Sequence, residues 1–333
     1  MQAQDGSAGC EPTISVLIAA LPGLSCAKVL NSLSKVDYPL QKIEVIIAEG
    51  KQPSRQRNEA VRAALGEIVH FFDDDCELSS ELLRNVVRHY KNSEIVAVAG
   101  VATARNDAPI MSRAMHMAMG SWFGGCTARR PYRPTGGLRR ADDKCFLMCN
   151  ASIRRDTYML EGGLRADLFP GEETEFFRRL YAKGYFMVYD PQAIVYRDWR
   201  TSLNDCAQAI FTYGRARIEQ GIENYQMNDY LFFVPLAFLV YLFFLPFASS
   251  IYYQAVIWIY LALVVLCSLT EVVVRRDLAG SLLFVLFPLL HISFGAGLAW
   301  GCLKWPFAPK RQNTNDVNLK MIKNLGTTTI CGF

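Results

Sequence analysis

The sequence predicts an α/β protein: a right-handed, doubly wound and mostly parallel sheet, followed by an apolar helical region that crosses a membrane. Three observations predict it. Short apolar runs alternate with helical stretches through the first hundred residues. Two of those runs end in carboxylates, at Glu49 and at Asp73-Asp74-Asp75. Charge then thins out late in the chain, where residues 230–303 carry only Glu271, Arg275, Arg276 and Asp277.

Residues 1–12 are polar and small, and are expected as a frayed tail. A first buried strand follows at 13–21 (Ile14, Val16, Leu17, Ile18), closed by Pro22-Gly23. Residues 25–34 read as a helix with Leu30 and Leu33 on its inner face, and 43–48 as a second strand ending at Glu49-Gly50. An Ala-rich helix at 54–65 stops at Gly66. The third strand, 66–72, is short and mostly apolar, as expected of a strand buried on both faces of a parallel sheet. It runs into the triple aspartate, and a helix at 80–91 and a fourth strand at 95–99 follow. Residues 104–143 read as irregular, with Met111, Met115, Met117 and Met119 as packing groups. The run 145–153 suggests another strand, and 168–171 a turn. Glu172 opens a helix that continues to Lys183 and ends at Gly184. Short strands at 186–189 and 193–196 precede an amphipathic helix at 203–220, suited to a membrane surface.

These readings divide the chain into a tail (1–12), an α/β catalytic domain (13–200), an interface region (201–228), a transmembrane region (229–303) and a C-terminal tail (304–333). Its apolar segments, 230–248, 253–269 and 278–303, are each near the roughly 20 residues that cross a bilayer. Tyr230, Tyr252, Tyr253, Trp300 and Trp305 lie near their ends, as interface anchors would. Three full spans would place Lys304, Lys310, Arg311, Lys320 and Lys323 outside, against the positive-inside rule. Pro288, Gly295, Gly297 and Gly301 leave open a broken or re-entrant third segment.

The formal net charge of +4 is too small to imply nucleic acid, and no basic stripe is interleaved with aromatics. It suits a face against anionic lipid. Ten cysteines include no CxxC pair and no zinc spacing with the four histidines, so buried, reduced thiols are expected. The first eleven residues lack a basic region followed by an apolar core, so no signal peptide is expected and the soluble part is placed in the cytoplasm.

Three successive carboxylates repel one another unless a cation or hydrogen-bond donors sit among them. Oxygen-only ligands suit Mg2+ or Mn2+. The alternative is an acidic turn in which Asp75 or Ser79 caps the next helix. Doubly wound sheets bind ligands at the carboxyl ends of their strands, so Glu49 and Asp73–75 should face one crevice. A second cluster, Glu172, Glu173 and Glu175, offers a general base, or only favourable charge in a first helical turn. Arg129, Arg130, Arg133, Arg139 and Arg140 are either solvated or hold diphosphate or lipid phosphate.

In this order the motifs resemble those of family 2 glycosyltransferases with the GT-A fold, over about residues 13–303. The strand at 14–19 matches the family's opening strand, and 43–50 its second, whose acid, here Glu49, contacts the nucleotide base. Arg57-Asn58-Glu59-Ala60-Val61 through Gly66-Glu67-Ile68 is similar to the stretch before the metal motif, which implies a donor-side role for Arg57. Asp73-Asp74-Asp75 stands where the Asp-x-Asp motif stands, implying Asp73 towards the nucleoside and metal, Asp75 towards the metal, and Asp74 between them. Gly171-Glu172-Glu173-Thr174-Glu175 is similar to the segment that supplies the catalytic base, implying Glu173, with Glu172 as competitor. Tyr213-Gly214-Arg215, with His291, Gly295 and Gly297, resembles membrane-anchored enzymes of the succinoglycan-synthesis type. Arg129, Arg130, Arg133 and Arg215 are then possible phosphate or acceptor contacts. Two departures stand out. Ala19-Ala20-Leu21 replaces the usual Pro-x-Tyr/Arg-Asn turn, and no Gln-x-x-Arg-Trp motif appears, since Gln208 lacks its Arg-Trp partner. The second departure points to one transfer per encounter rather than polymerisation.

The resemblance implies an inverting, metal-dependent enzyme at the cytoplasmic face of a multi-pass inner-membrane anchor. It would move a sugar from a nucleotide-diphosphate sugar, foremost a UDP-sugar, to a lipid-linked saccharide. Two alternatives stay open: direct charging of polyprenyl phosphate, or a nonreacting sheet that docks a partner at the membrane. A transporter fits poorly, because the spans hold almost no polar residues.

Overall fold

The computed structural model describes residues 12–168, 170–219, 229–304 and 317–322. Expectations for residues 1–11, Phe169, 220–228, 305–316 and 323–333 lie outside the described residues.

Among the described residues, five strands run in one direction: β1 (Ile14–Ala20), β2 (Ile43–Glu49), β3 (Ile68–Asp73), β5 (Ile95–Thr103) and β8 (Phe186–Tyr196). Four run against a neighbour: β4 (Glu77–Leu78), β6 (Arg139–Arg140), β7 (Ala151–Arg154) and β9 (Asn318–Ile322). The order across the sheet is β4-β8-β5-β7-β3-β1-β2-β9, with β6 also on β8. The parallel doubly wound core expected from sequence is therefore present, but β7 is inserted antiparallel between β3 and β5.

Helices α1 (Ala27–Leu33) and α3 (Leu82–Val87) cover one face of the sheet, and α2 (Pro53–Ala63), α6 (Arg155–Leu160) and α7 (Glu172–Ala182) the other. Successive strand residues point to opposite faces, so the adjacent Phe71 and Phe72 serve different cores. Phe72 packs with Leu30, Leu33 and Leu83, whereas Phe71 packs with Val61, Tyr158 and Phe176. Both are fully buried, each contributing roughly 1.5–3 kcal/mol.

A third core joins α4 (Ile110–Gly120) and α8 (Leu203–Glu219) to the apolar helices that follow, through Met115, Ile210, Val264, Leu286 and Phe287, with Phe123 of α5 (Trp122–Gly125) packed against it. Residues 110–120 are helical rather than irregular because Met111, Met115 and Met119 recur every fourth residue on one face. Met115 and Met117 are buried, as packing groups should be. Residues 186–196 form one strand rather than two; the chain passes Pro191 where the pairing with β5 shifts register. The apolar run at 145–153 gives short helical turns and only then β7.

Among the described residues, three further helices are long and apolar enough to cross a membrane. The first, Asp229–Phe247, contains α9 (Val234–Phe244); α10 spans Ile251–Arg275; the third, Leu278–Lys304, contains α11 (Leu283–Lys304). The tyrosines of α9 and α10 bond reciprocally: Tyr241 donates to the Tyr253 carbonyl at 2.9 Å and Tyr253 to the Tyr241 carbonyl at 3.1 Å. α11 lies on α8, where side chains would keep the backbones apart. A Cβ on Gly297 would sit 2.1 Å from the Phe211 carbonyl oxygen, and one on Gly214 2.3 Å from that of Phe294. Small residues are the usual means of such close approach.

Candidate functional site

The carboxyl ends of the five co-directional strands share one edge of the sheet. Glu49 closes β2, Asp73 closes β3, and both flank the last residues of β1, in register with Ala20 and Ala19. Two strand spacings separate them, about 10 Å. Glu49 and the aspartates therefore meet at one crevice, as their places at strand ends predict.

Arg197, just beyond the end of β8, projects between two of the aspartates. Its Nη1 donates to Asp73 Oδ2 at 3.0 Å and its Nε to Asp75 Oδ2 at 3.2 Å. The helix after this turn begins beyond Glu81, which provides no side-chain cap, so Asp75 and Ser79 are not its capping residues. Burial would push the Asp73 carboxyl up, but Arg197 and Arg57 outweigh it and hold that carboxyl below its usual range. Asp74, half-buried, is shifted the other way by burial and by the charges of Asp75 and Asp73. The triplet thus splits into two acids facing a cation and one between them that resists ionisation.

Arg57, buried on α2, joins this group to the second acidic cluster. Its Nη2 donates to Asp73 Oδ1 at 3.0 Å and its Nη1 to Glu172 Oε1 at 2.8 Å. Burial opposes its charge, but Asp73 and Glu172 raise its pKa above the ordinary value. Gly171, with φ of +115°, turns the chain into α7 at this point. Glu172 is fully buried, and its pKa is pushed up to about 8 by burial and then by the charge of Glu173, against the pull of Arg57. Glu173 stays half-exposed. Its charge is felt by Glu172, Arg57, Tyr132 and Tyr213, so it faces the same crevice. Glu175 instead pairs with Arg179 one helical turn on, at 3.1 Å.

The basic segment is largely committed to local partners. Arg130 pairs with Asp142 at 2.7 Å and Arg133 with Glu271 at 3.1 Å. Arg129 stacks over the exposed ring of Trp122, and Arg139 over Tyr189. Arg215 lies on α8 against Gly297 and Gly301 of α11. Four residues at the site were not among the sequence candidates: Arg197, Tyr132, and Lys320 with Asn318 of β9, which bond Glu49. The Arg197-Asp198-Trp199-Arg200 run after a strand end was the available signal for the first.

Residues 25–159 match the family model described as Glycosyl transferase family 2. No curated protein matches the sequence significantly. Among solved structures, a mannosyltransferase, PcManGT from Pyrobaculum calidifontis, in complex with GDP-Man and Mn2+, superposes with a TM-score of 0.55 at 15% identity. The likeness covers 87% of this chain and 88% of that one. The fold is GT-A-like. S. aureus TarS is a weaker match, with a TM-score of 0.41 and 14% identity, covering 64% of this chain and 41% of that one. In this chain the GT-A-like domain carries the crevice just described, and the three apolar helices follow it.

Proposed function

We propose that the chain is a membrane-associated, inverting glycosyltransferase that moves one sugar from a nucleotide-diphosphate donor to a lipid-linked saccharide. The observation that carries this reading is the Asp73–Arg57–Glu172 bridge. It fixes the acids at the end of β3 and those at the start of α7 as two walls of one crevice. The similar fold of a protein whose complex holds GDP-Man and Mn2+ supports a nucleotide-sugar donor and a divalent ion. A guanine nucleotide therefore joins the UDP-sugar expected from sequence as a donor to test.

Asp73 and Asp75 fit Mg2+ or Mn2+: two hard carboxylates already converge on one cationic group, Arg197. Among the described residues no three such side chains form a complete cage. Two carboxylates with substrate phosphates and water are the usual way Mg2+ is bound. When bound, the ion would neutralise charge developing on the departing diphosphate. Arg197, whose guanidinium lies against both aspartates, would offer the departing diphosphate a further cation. Glu173 takes the proton of the acceptor hydroxyl, whose oxygen bonds to the anomeric carbon as the carbon–diphosphate bond breaks on the opposite face. Glu172, buried and bound to Arg57, orients this wall rather than receiving the proton.

The apolar helices supply the membrane part of the proposal. Both ends of the α9–α10 pair are bound to the sheet domain. At one end Asp229 accepts from Arg178 at 2.9 Å and Lys144 at 3.2 Å of that domain, and from Arg217 of α8 at 3.1 Å. At the other, Glu271 pairs with Arg133, and Asp277 with Arg113 at 2.9 Å. Between these ends Phe243, Phe247, Tyr252 and Trp258 are exposed. The pair is read as a hairpin whose two helices cross the membrane and bring the chain back to the cytoplasmic side, while α11 stays with α8. Lys320 then lies on the cytoplasmic side with the sheet, removing the conflict with the positive-inside rule. A membrane-impermeant maleimide should label a cysteine placed at Met321 only from the active-site side; labelling from the opposite side excludes the hairpin.

Calorimetric titration of GDP and UDP with and without Mn2+ tests the donor site. The wild type should bind one of them more tightly with Mn2+, and Asp75→Asn should lose that dependence while melting normally. Undiminished Mn2+ dependence in the variant would remove the aspartates from the metal site.

A further inference from the structure

The described C-terminal segment follows the apolar helices in sequence and pairs with the sheet. β9 pairs antiparallel with β2, with Asn318 opposite Glu49. Residues 318 and 320 lie on one face of a strand, and both side chains reach the same carboxylate. Lys320 Nζ donates to Glu49 Oε1 at 2.7 Å, and Asn318 Nδ2 to Glu49 Oε2 at 3.3 Å. The hydrogen bond from Lys320, reinforced by Asn318 and the Gly23 backbone, holds the Glu49 carboxyl below its usual range.

We propose that Lys320 and Asn318 are positioning residues that fix Glu49 as the reader of the nucleotide base, completing the donor site with the last described strand. The proposal rests on the glycosyltransferase reading above. A carboxylate offers about four lone-pair directions. The two bonds from β9 use one on each oxygen and leave acceptor capacity towards the crevice. An anchored, acceptor-only group selects a base with a protonated ring nitrogen, as in uracil or guanine. Cytosine and adenine offer an unprotonated ring nitrogen there, and two acceptors facing each other leave a polar group unpaired, which such sites reject strongly.

Two neighbours place this corner in the same crevice as the aspartates. Cys26, buried at the start of α1, feels the charges of Asp74, Glu49 and Lys320 together. The turn after β1, whose Gly23 backbone bonds Glu49, exposes Leu21 and Leu24. Those side chains offer a planar base an apolar platform beside the carboxylate. Without β9, β2 would be an open edge strand and Glu49 a free rotor at its end.

The test is competitive binding of UDP, GDP, CDP and ADP to the full chain with Mn2+ present. The wild type should prefer UDP or GDP over CDP and ADP by about tenfold or more. Lys320→Met should bring the four within about threefold of one another by weakening the preferred one. Lys320→Arg, which keeps the charge and a donor, should restore the preference. A change in folding alone would weaken all four in proportion and would not be rescued in this way. If Lys320→Met does not fold, Lys320→Gln and Asn318→Ala are read in the same assay. An unchanged preference in the folded variants overturns the proposal, as does a wild type that binds all four alike. A wild type that binds no nucleotide overturns the glycosyltransferase reading instead.

Discussion

Two acidic clusters stand on opposite walls of the crevice. Each contains three carboxylates within a few residues, yet the fold divides them differently. At the end of β3 the outer two acids converge on Arg197 and the middle one is left between like charges. At the start of α7 the acids fan around a helix, so each meets a different environment. Glu172 is buried against Arg57, Glu173 faces the crevice, and Glu175 pairs along the surface with Arg179. A strand end focuses neighbouring carboxylates on one point, which suits holding a cation. A helix start spreads them by about 100° each, which suits isolating one base.

The largest expected effect tests that isolation. Glu173→Gln should lower transfer by about 10²–10⁴-fold while leaving nucleotide affinity in calorimetry unchanged. Glu172→Gln should keep most of its turnover. The opposite pattern would move the base to Glu172 and remove the distinction between the two walls.

A smaller effect contrasts the walls by pH. The pKa of Glu172 is raised from 4.5 to about 8 by burial and by Glu173. Between those values the folded state retains a proton that the unfolded state has lost, so stability falls as pH rises through this window. Asp73 acts in the opposite sense. Burial disfavours its charge, but Arg197 and Arg57 prevail; its lowered pKa stabilises the fold above the unfolded value, and that is lost as pH falls towards the folded one. Glu172→Gln removes the first trend only. Relative to wild type, it should gain on the order of 3 kcal/mol between pH 5 and pH 8, read from denaturant melts in detergent. A difference that stays constant with pH would mean that Glu172 titrates normally.

Much of the sheet and of its acidic edge was legible in the sequence, because both follow from local patterns. Apolar runs of strand length end in Glu49 and Asp73, and a parallel sheet brings such ends together. What was not legible depended on distant pairing. Nothing near 151–154 marks β7 as antiparallel, since its direction is decided by β3 and β5 on either side. Arg197 is an ordinary arginine until β8 places it beside Asp73. Residues 318–322 are too few and too mixed to read as a strand, and only β2 makes them one. The helix at 110–120 is a different case: its four-residue methionine spacing was visible, and the neighbouring Gly-Gly and arginine-rich stretch obscured it.

The strand formed by those last residues also bears on how the molecule is made. Lys320 meets a residue 271 positions earlier in the chain. Every apolar helix is synthesised between the two. During translation β2 must therefore wait, its outer hydrogen-bonding groups unpaired, until the helices have found their place. Contacts of such long range form late, and exposed edges invite association with other chains. The sheet is covered at this edge only once residues 318–322 have been made, so a product truncated before residue 317 would leave β2 as an open edge.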